Sequence, residues 1–163
     1  MIEKFGNGRI TDQTPRFYDA EAVTYDQKRW GNAAGARLDN FQRNLMVFML
    51  APTTGQEILE VGTGTGRFAA VVAATRARVT GSDISEGMLE VAKKRCDDTD
   101  FPVSPRFILG NVELLPFCDA LFDSVFCINV VQLFPSVENS VKVIGRVLKP
   151  GGHFIFNFPT INS

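Results

Sequence analysis

Apolar and polar residues alternate along this chain in short runs that predict a sequence of strands and helices. The apolar runs at residues 58–61, 78–83, 106–109, 122–128 and 153–158 are each bounded by glycine, proline or polar residues, which is typical of strands. Between them, apolar residues recur at helical spacing over residues 68–74, 86–94 and 136–148. Five strands alternating with helices predict an α/β protein with a doubly wound, mostly parallel sheet.

A longer helix is predicted ahead of the first strand. Residues 33–50 carry Leu38, Phe41, Leu45 and Phe48 or Met49 at helical spacing. This pattern predicts that these side chains form the face that packs on the core.

The pattern divides the chain into two parts of one structural domain. Residues 1–52 are predicted to be a helical cap with a polar lead-in over residues 1–15, and residues 53–163 to be the α/β core. Tyr18 and Tyr25 lie in an aromatic and charged stretch of the cap. They either pack on the core or cover a ligand, because a phenol combines an aromatic plate with a hydroxyl group.

The turn after the first predicted strand contains three glycines at alternate positions, Gly62, Gly64 and Gly66. A glycine-rich turn between a strand and a helix brings backbone N–H groups close to a ligand. A dinucleotide fingerprint, G-x-G-x-x-G, requires its third glycine where this chain has Arg67. Asp83 ends the second predicted strand, where a carboxylate can accept hydrogen bonds from ribose hydroxyls. The pattern therefore predicts a nucleoside ligand and gives less support to a pyrophosphate.

The composition and charge of the chain argue against several classes of function. The chain has 163 residues, a formal net charge of −1 and 21% charged residues, which gives no support for a nucleic-acid-binding surface. Three cysteines without C-x-x-C spacing and one histidine argue against a metal site. No apolar run approaches the length of a membrane span or of a signal-peptide core. We therefore expect a cytoplasmic protein with reduced cysteines.

Four motifs together resemble the class I S-adenosylmethionine-dependent methyltransferases. They are E-V-G-T-G-T-G-R-F at 60–68, G-S-D-I-S-E-G-M-L-E-V-A-K-K-R at 81–95, G-N-V-E-L-L-P-F-C-D-A-L-F-D at 110–123 and R-V-L-K-P-G-G-H-F-I-F at 146–156. Their order is that of the family, and they are most similar to the branch containing the ubiquinone and menaquinone C-methyltransferases. The resemblance implies a Rossmann-like methyltransferase fold and S-adenosyl-L-methionine as the cofactor.

The resemblance also implies roles for individual residues. Glu60 and the turn formed by Gly62, Thr63, Gly64 and Gly66 would hold the methionine end of the cofactor, with Asn129 nearby. Asp83 would bind the ribose, Ile84 and Met88 would lie beside the adenine and ribose, and Asn111 and Val112 would bind the adenine. Tyr18, Tyr25 and Gln132 are candidates for the lid or the acceptor site. Met88 has core packing as its alternative, and Gln132 has exposed loop polarity.

One expected site residue departs from the family pattern. Asn111 stands where relatives usually have aspartate. An amide oxygen still accepts a hydrogen bond from the adenine amino group, although without charge assistance. No residue identifies itself as a catalytic base.

The resemblance predicts transfer of a methyl group to a small-molecule acceptor. The alternatives are a non-catalytic cofactor-binding or interaction module and, with less support, a nicotinamide-dependent oxidoreductase. Members of the family add a C-terminal antiparallel hairpin beyond the fifth strand, which the sequence does not show. We therefore expect a fragment of a longer protein, with a second chain, such as another copy, covering the edge of that strand as the alternative.

Overall fold

The computed structural model describes residues 3–4 and 13–157, and in them all strands belong to one parallel sheet. The strand order across the sheet is β1-β4-β3-β2-β5-β6, and every neighbouring pair is parallel. The strands are β1 (Glu3–Lys4), β2 (Glu57–Val61), β3 (Arg78–Asp83), β4 (Arg106–Leu109), β5 (Phe122–Cys127) and β6 (Leu148–Phe156). The predicted doubly wound α/β fold is confirmed.

Six α-helices accompany the sheet in the described residues. They are α1 (Gln13–Glu21), α2 (Tyr25–Trp30), α3 (Ala33–Leu50), α4 (Arg67–Ala73), α5 (Glu86–Asp97) and α6 (Val137–Val147). The Ser85 hydroxyl accepts a hydrogen bond from the Met88 N–H at 3.1 Å and caps α5. The bounds of α3 agree with the sequence prediction.

Hydrophobic clusters lie on both faces of the sheet. Successive side chains of a strand point to opposite faces, so Ile58 and Leu59 of β2 belong to different clusters. Ile58 packs in the cluster that contains α4 and α5, whereas Leu59 packs in the cluster that contains Ile144 of α6. This burial fixes β2 at the centre of the sheet and places its carboxyl end between the two helical layers.

The structure corrects the prediction at both ends of the sheet. Glu3 and Lys4 were expected in a polar lead-in, but they pair with β4, Glu3 opposite Ile108. A two-residue strand has no periodicity that a sequence pattern can reveal. The last strand begins at Leu148 rather than at residue 153, because the turn around Gly151 is accommodated as an irregularity in the pairing with β5. Phe158, expected in this strand, lies outside the described residues.

The predicted inward face of α3 is wrong. The side chains expected to be buried are 41–81% exposed: Leu38, Phe41, Leu45, Phe48 and Met49. Asp39, Met46 and Leu50 are buried instead. Asp39 forms an ion pair with the buried Arg67 at the start of α4, and this pairing directs the side of α3 that carries Asp39, Met46 and Leu50 inward.

Candidate functional site

A cavity of about 270 Å³ lies at the carboxyl ends of β2, β3, β4 and β5, beneath α1 and α2. This is the ligand-binding edge of an open parallel sheet. The predicted site residues that line it are Tyr18, Tyr25, Glu60, Gly62, Thr63, Gly64, Asp83, Ile84, Met88, Asn111, Val112 and Asn129. Gly66 and Gln132 do not line it. The structure therefore brings most of the predicted residues to one place.

The glycine turn donates its N–H groups to the protein itself. The N–H groups of Gly62 and Thr63 donate to the Ser82 carbonyl oxygen at 2.8 and 2.9 Å. The Gly64 N–H donates to the Asp83 carboxylate at 2.8 Å, and the Gly66 N–H donates to the Thr63 carbonyl oxygen. Contrary to the sequence prediction, these four donors are not directed at a ligand. The turn is thus poorly suited to cradle a pyrophosphate.

Gly66 has a structural role in this turn. It precedes α4 with a φ of 73°, and a Cβ atom there would lie 2.9 Å from the Cβ atom of Ala92 in α5. A glycine is therefore required for close packing of the turn against α5. Its predicted contact with the cofactor remains a prediction.

Two carboxylates lie in the cavity wall. Glu60 is 1% exposed, and the Thr63 hydroxyl donates a hydrogen bond to it at 2.8 Å. Burial raises the pKa of Glu60 to about 8. Burial also raises the pKa of Asp83, although N–H groups of Ser85 and Gly64 donate to its carboxylate and oppose the rise. Together the two groups suit a ligand that has positive charge or hydroxyl donors.

The raised pKa of Glu60 predicts a pH-dependent stability. Above the ordinary glutamate pKa of 4.5 the unfolded chain loses a proton that the folded chain keeps up to about pH 8. Stability therefore falls as pH rises through this window, by at most about 1.4 kcal/mol per pH unit. We expect Glu60→Gln to flatten this dependence. Its free energy of unfolding relative to that of the wild type, measured with urea, should therefore be more favourable at pH 8 than at pH 5. Glu90→Gln, an exposed control, should retain the wild-type slope, and a wild-type slope in Glu60→Gln would contradict the prediction.

At the end of the cavity where adenine is predicted to bind, a hydrogen bond orients the side chain of Asn111. The Asn111 side-chain oxygen accepts a hydrogen bond from the Glu113 N–H at 3.0 Å, which leaves a second lone pair for a ligand. Met88 and Val112 are buried and also line the cavity. Met88 therefore combines the two alternatives proposed for it, core packing and contact with the ligand space.

Asn157 is a residue that the sequence did not single out. Its side-chain amide donates to the Asn129 side-chain oxygen at 2.7 Å, and its oxygen accepts from the Asn129 N–H. Asn129 adopts a left-handed φ of 61°, and this reciprocal pair fixes its side chain at the cavity wall. Gln132 is exposed and donates to the Asn129 carbonyl oxygen at 2.7 Å. Its predicted acceptor contact remains a prediction.

Two carboxylates of the cap connect it to the core. The Asp19 carboxylate in α1 accepts hydrogen bonds from the Ser85 hydroxyl at 2.6 Å and the Gly87 N–H at 3.0 Å. Asp26 in α2 accepts from the Thr65 hydroxyl at 2.8 Å and forms an ion pair with Arg95. These connections hold α1 and α2 over the cavity. Nothing in the sequence pattern distinguishes these two residues from exposed acids.

The cap contributes aromatic walls to the cavity. The ring centroids of Tyr18 and Tyr25 are 6.3 Å apart, and burial is the main cause of the raised pKa of Tyr18. The Arg67 guanidinium stacks on the Trp30 ring at 4.1 Å and on the Phe68 ring at 4.6 Å. A long, ion-paired side chain therefore occupies the position where a dinucleotide fingerprint has its third glycine.

Residues 3–4 and 13–157 give no structural support for a metal site or for a membrane-spanning helix. This part of the chain holds no group of three or more His, Cys, Asp or Glu side chains placed to share a metal ion. None of its helices combines the length and apolar content needed to cross a bilayer.

Comparisons with known proteins agree on one family. The family model described as "Methyltransferase domain" matches residues 59–156. The demethylmenaquinone methyltransferase of Tropheryma whipplei is 33% identical over 154 residues, covering 94% of this chain and 62% of the relative. The ubiquinone biosynthesis O-methyltransferase of Alkalilimnicola ehrlichii is 31% identical and covers 90% of this chain and 62% of the relative. The chain thus spans about three fifths of the length of these relatives.

Solved structures show the same fold. The YcgJ protein from Bacillus subtilis has a TM-score of 0.68 at 28% identity, covering 72% of this chain and 50% of that chain. The [4+2]-cyclase SpnF has a TM-score of 0.77 at 22% identity, covering 94% of this chain and 62% of that chain. The likeness to SpnF concerns the fold alone. The cofactor that the matched family implies is S-adenosyl-L-methionine.

Proposed function

The chain belongs to the methyltransferase domain family, and we propose that it transfers a methyl group from S-adenosyl-L-methionine to a small-molecule acceptor by in-line displacement. The observation that carries this proposal is the cavity at the carboxyl ends of β2 to β5, where Glu60 and Asp83 lie beneath an aromatic cap. The two acids, rather than a row of free backbone N–H groups, are what this cavity presents to a ligand.

The described residues fit the proposed cofactor in charge and shape. S-Adenosylmethionine carries positive charge on its sulfonium and ammonium groups. The half-buried Asp83 carboxylate complements this charge, and a bound cation would favour the ionised form of the buried Glu60. The same two acids would repel a pyrophosphate. A Cβ atom at Gly64 would meet no atom within 4 Å, so this glycine keeps the cavity open beside the turn. Asp83 would accept from the ribose hydroxyls and Asn111 from the adenine amino group.

The residues around the cavity act by binding and orienting. When bound, S-adenosylmethionine supplies an activated methyl group, so the chemistry needs no metal and no nucleophilic side chain. Holding two reactants in line can contribute roughly 7–11 kcal/mol. The cap contributes by covering the cavity, because Asp19 and Asp26 hold α1 and α2 to α5 and to the glycine turn. Tyr18 and Tyr25 would then face the acceptor and exclude water.

The aromatic cap supports a partly apolar acceptor. Tyr18, Tyr25, Trp30, Leu133 and Phe134 are among the residues that line the cavity, and planar rings pack well against such side chains. Two of the relatives are named as methyltransferases of demethylmenaquinone and of ubiquinone biosynthesis. A small acceptor with an aromatic or quinone-like ring is therefore our proposal for this chain.

Calorimetric titration with S-adenosylhomocysteine, with NADH as the control ligand, tests the cofactor. We expect micromolar affinity for S-adenosylhomocysteine and none for NADH. Radiolabelled methyl transfer to a panel of phenols, quinols and aliphatic acceptors then tests the reaction. Binding of NADH in place of S-adenosylhomocysteine would contradict the proposal and favour an oxidoreductase.

The second candidate is cofactor binding without methyl transfer. Among the described cavity residues the titratable groups are Tyr18, Tyr25, Glu60, Arg67 and Asp83, and none stands out as a base for an acidic acceptor. Binding of S-adenosylhomocysteine without transfer to any of the panel would favour this candidate over the first.

Two further expectations complete the proposal. We propose a cytoplasmic location, supported by the three free cysteines, since exposed thiols such as Cys118 persist in reducing compartments. We also propose that the outer edge of β6 is covered, by further sequence of the kind that the longer relatives have or by a second chain. The division of the domain into a cap of residues 1–52 and a core of residues 53–163 remains a prediction.

A further inference from the structure

Helix α3 carries apolar side chains on two separate faces. Its inner face buries Met46 and Leu50 against the cluster around α4. Its outer face, defined as Leu38, Phe41, Leu45, Phe48 and Met49, leaves these five side chains 41–81% exposed, with Phe48 the most exposed. An apolar stripe on a helix normally packs against another element. The outer face therefore has the composition of a contact surface.

The outer face is large enough to form the centre of an interface. With aromatic side chains of about 150–250 Å² each, it presents on the order of 500 Å² of apolar area. The largest patch on a typical monomer is about 300–600 Å², and a standard interface buries about 800 Å² per partner. The outer face alone thus lies in the upper half of the range for a monomer and supplies more than half of the area that a standard interface buries on each partner.

The spacing along the outer face is that of helix-on-helix packing. Leu38, Phe41, Leu45 and Phe48 follow one another at intervals of three, four and three residues. This is the spacing of the a and d positions in a helical seam, whose side chains insert between those of a facing helix. The occupant that this geometry fits is another α-helix.

We infer that the outer face of α3 is a homodimer interface in which it packs antiparallel against α3 of a second copy. A two-fold axis between the helices places Leu38 opposite Phe48 and Phe41 opposite Leu45 of the other copy. Each layer then holds one phenylalanine and one leucine, so the layers have equal volume. The proposed interface is independent of the methyl-transfer reaction.

Charge also favours a second copy in the antiparallel direction. Arg37 is the charged residue that borders the outer face, and Asp39 and Arg43 pair with each other at 2.9 Å on the inner side. Antiparallel packing separates the two Arg37 side chains to opposite ends, whereas parallel packing would place these like charges side by side. A membrane-surface helix usually has many basic residues beside its apolar face, whereas the residues beside the outer face here are one basic residue, Arg37, and the neutral Gln42 and Asn44.

Sedimentation velocity on the 163-residue chain over a wide range of concentration tests this interface. We expect a reversible dimer in the wild type and at least tenfold weaker association in Phe41→Glu. Val23→Glu is the matched control, because Val23 is 88% exposed and lies outside the outer face. It should dimerise like the wild type. Thermal unfolding of each variant, followed by circular dichroism, verifies that the fold is retained.

A double substitution tests the direction of packing. In Phe41→Glu/Leu45→Lys, antiparallel pairing places each glutamate opposite a lysine, so dimerisation should recover relative to Phe41→Glu or Leu45→Lys alone. Parallel pairing would place like charges together and would not recover it.

Three outcomes would overturn the inference. One is a wild type that remains monomeric at all concentrations. Another is a dimer that Phe41→Glu leaves intact, which would assign the contact to another surface such as the edge of β6. The last is a monomer that co-sediments with phosphatidylglycerol vesicles only when Phe41 is intact, which would assign the outer face to membranes.

Discussion

Replacing Asp83 with asparagine should weaken the binding of S-adenosylhomocysteine by about 100-fold or more. Hydrogen bonds to a charged group each contribute roughly 1.5–3 kcal/mol, and a carboxylate at the end of β3 can accept two from a ribose. Asparagine retains the shape and one acceptor oxygen but loses the charge. Isothermal titration calorimetry at neutral pH measures the change.

The same substitution should change stability much less than affinity. Burial raises the pKa of Asp83, so removing its charge relieves a desolvation cost. Against this, the N–H groups of Gly64 and Ser85 donate to different carboxylate oxygens, so one of them keeps a neutral acceptor and the other loses its acceptor to the amide NH2 group. These two effects change the free energy of unfolding in opposite directions. For ribose binding, in contrast, the loss of the charge and the loss of one acceptor both weaken the affinity.

Asp98→Asn provides the control for this prediction. Asp98 is exposed and lies just beyond α5, outside the cavity lining. It should bind S-adenosylhomocysteine like the wild type. An Asp83→Asn protein that is folded and retains wild-type affinity would show that the nucleoside site is elsewhere.

Structural features that depend only on residues close in sequence could be predicted. Strand β2, its glycine turn and Asp83 follow from local patterns, because a buried strand, a positive φ and a strand end each leave a mark in the sequence. The parallel sheet follows in turn from the alternation of strands and helices. For this reason most of the residues expected at the site line one cavity.

Features that depend on distant residues could not be predicted in the same way. Helix α3 has two apolar faces, and the ion pair of Asp39 with Arg67 decides which one is buried. Similarly, Asp19 contacts Ser85 across 66 residues of sequence, and Asp26 contacts Arg95 across 69. An acid in a helix has the same local pattern whether it faces solvent or holds a cap to the core.

Three glycine-to-alanine substitutions should show separately how backbone strain, packing and access of the ligand to the turn affect stability and affinity. Gly55, Gly62 and Gly64 all have positive φ values, of 81°, 70° and 53°. Alanine in this conformation costs about 1–2 kcal/mol at each position. At Gly55 and Gly64 a Cβ atom would meet no atom within 4 Å, so strain is the only structural cost.

Gly62→Ala should be the most destabilising of the three. Its Cβ atom would lie 2.5 and 2.6 Å from the two methyl groups of Val130. A β-branched side chain cannot rotate both methyl groups away, and overpacking of this kind typically costs about 1–3 kcal/mol. We therefore expect a loss of about 2–5 kcal/mol in the free energy of unfolding, measured with urea, against about 1–2 kcal/mol for the other two.

Affinity should distinguish Gly55→Ala from Gly64→Ala, whose stabilities should be similar. Gly55 lies in a turn outside the cavity lining, whereas the Cβ atom of Gly64→Ala would project into the open space beside Asp83. Gly55→Ala should thus bind S-adenosylhomocysteine like the wild type, and Gly64→Ala should lose at least tenfold in affinity at similar stability. Equal affinities for these two variants would mean that the ligand does not approach the turn. The turn would then serve only to connect β2 to α4, and the nucleoside site would have to rest on Asp83 and Asn111 alone.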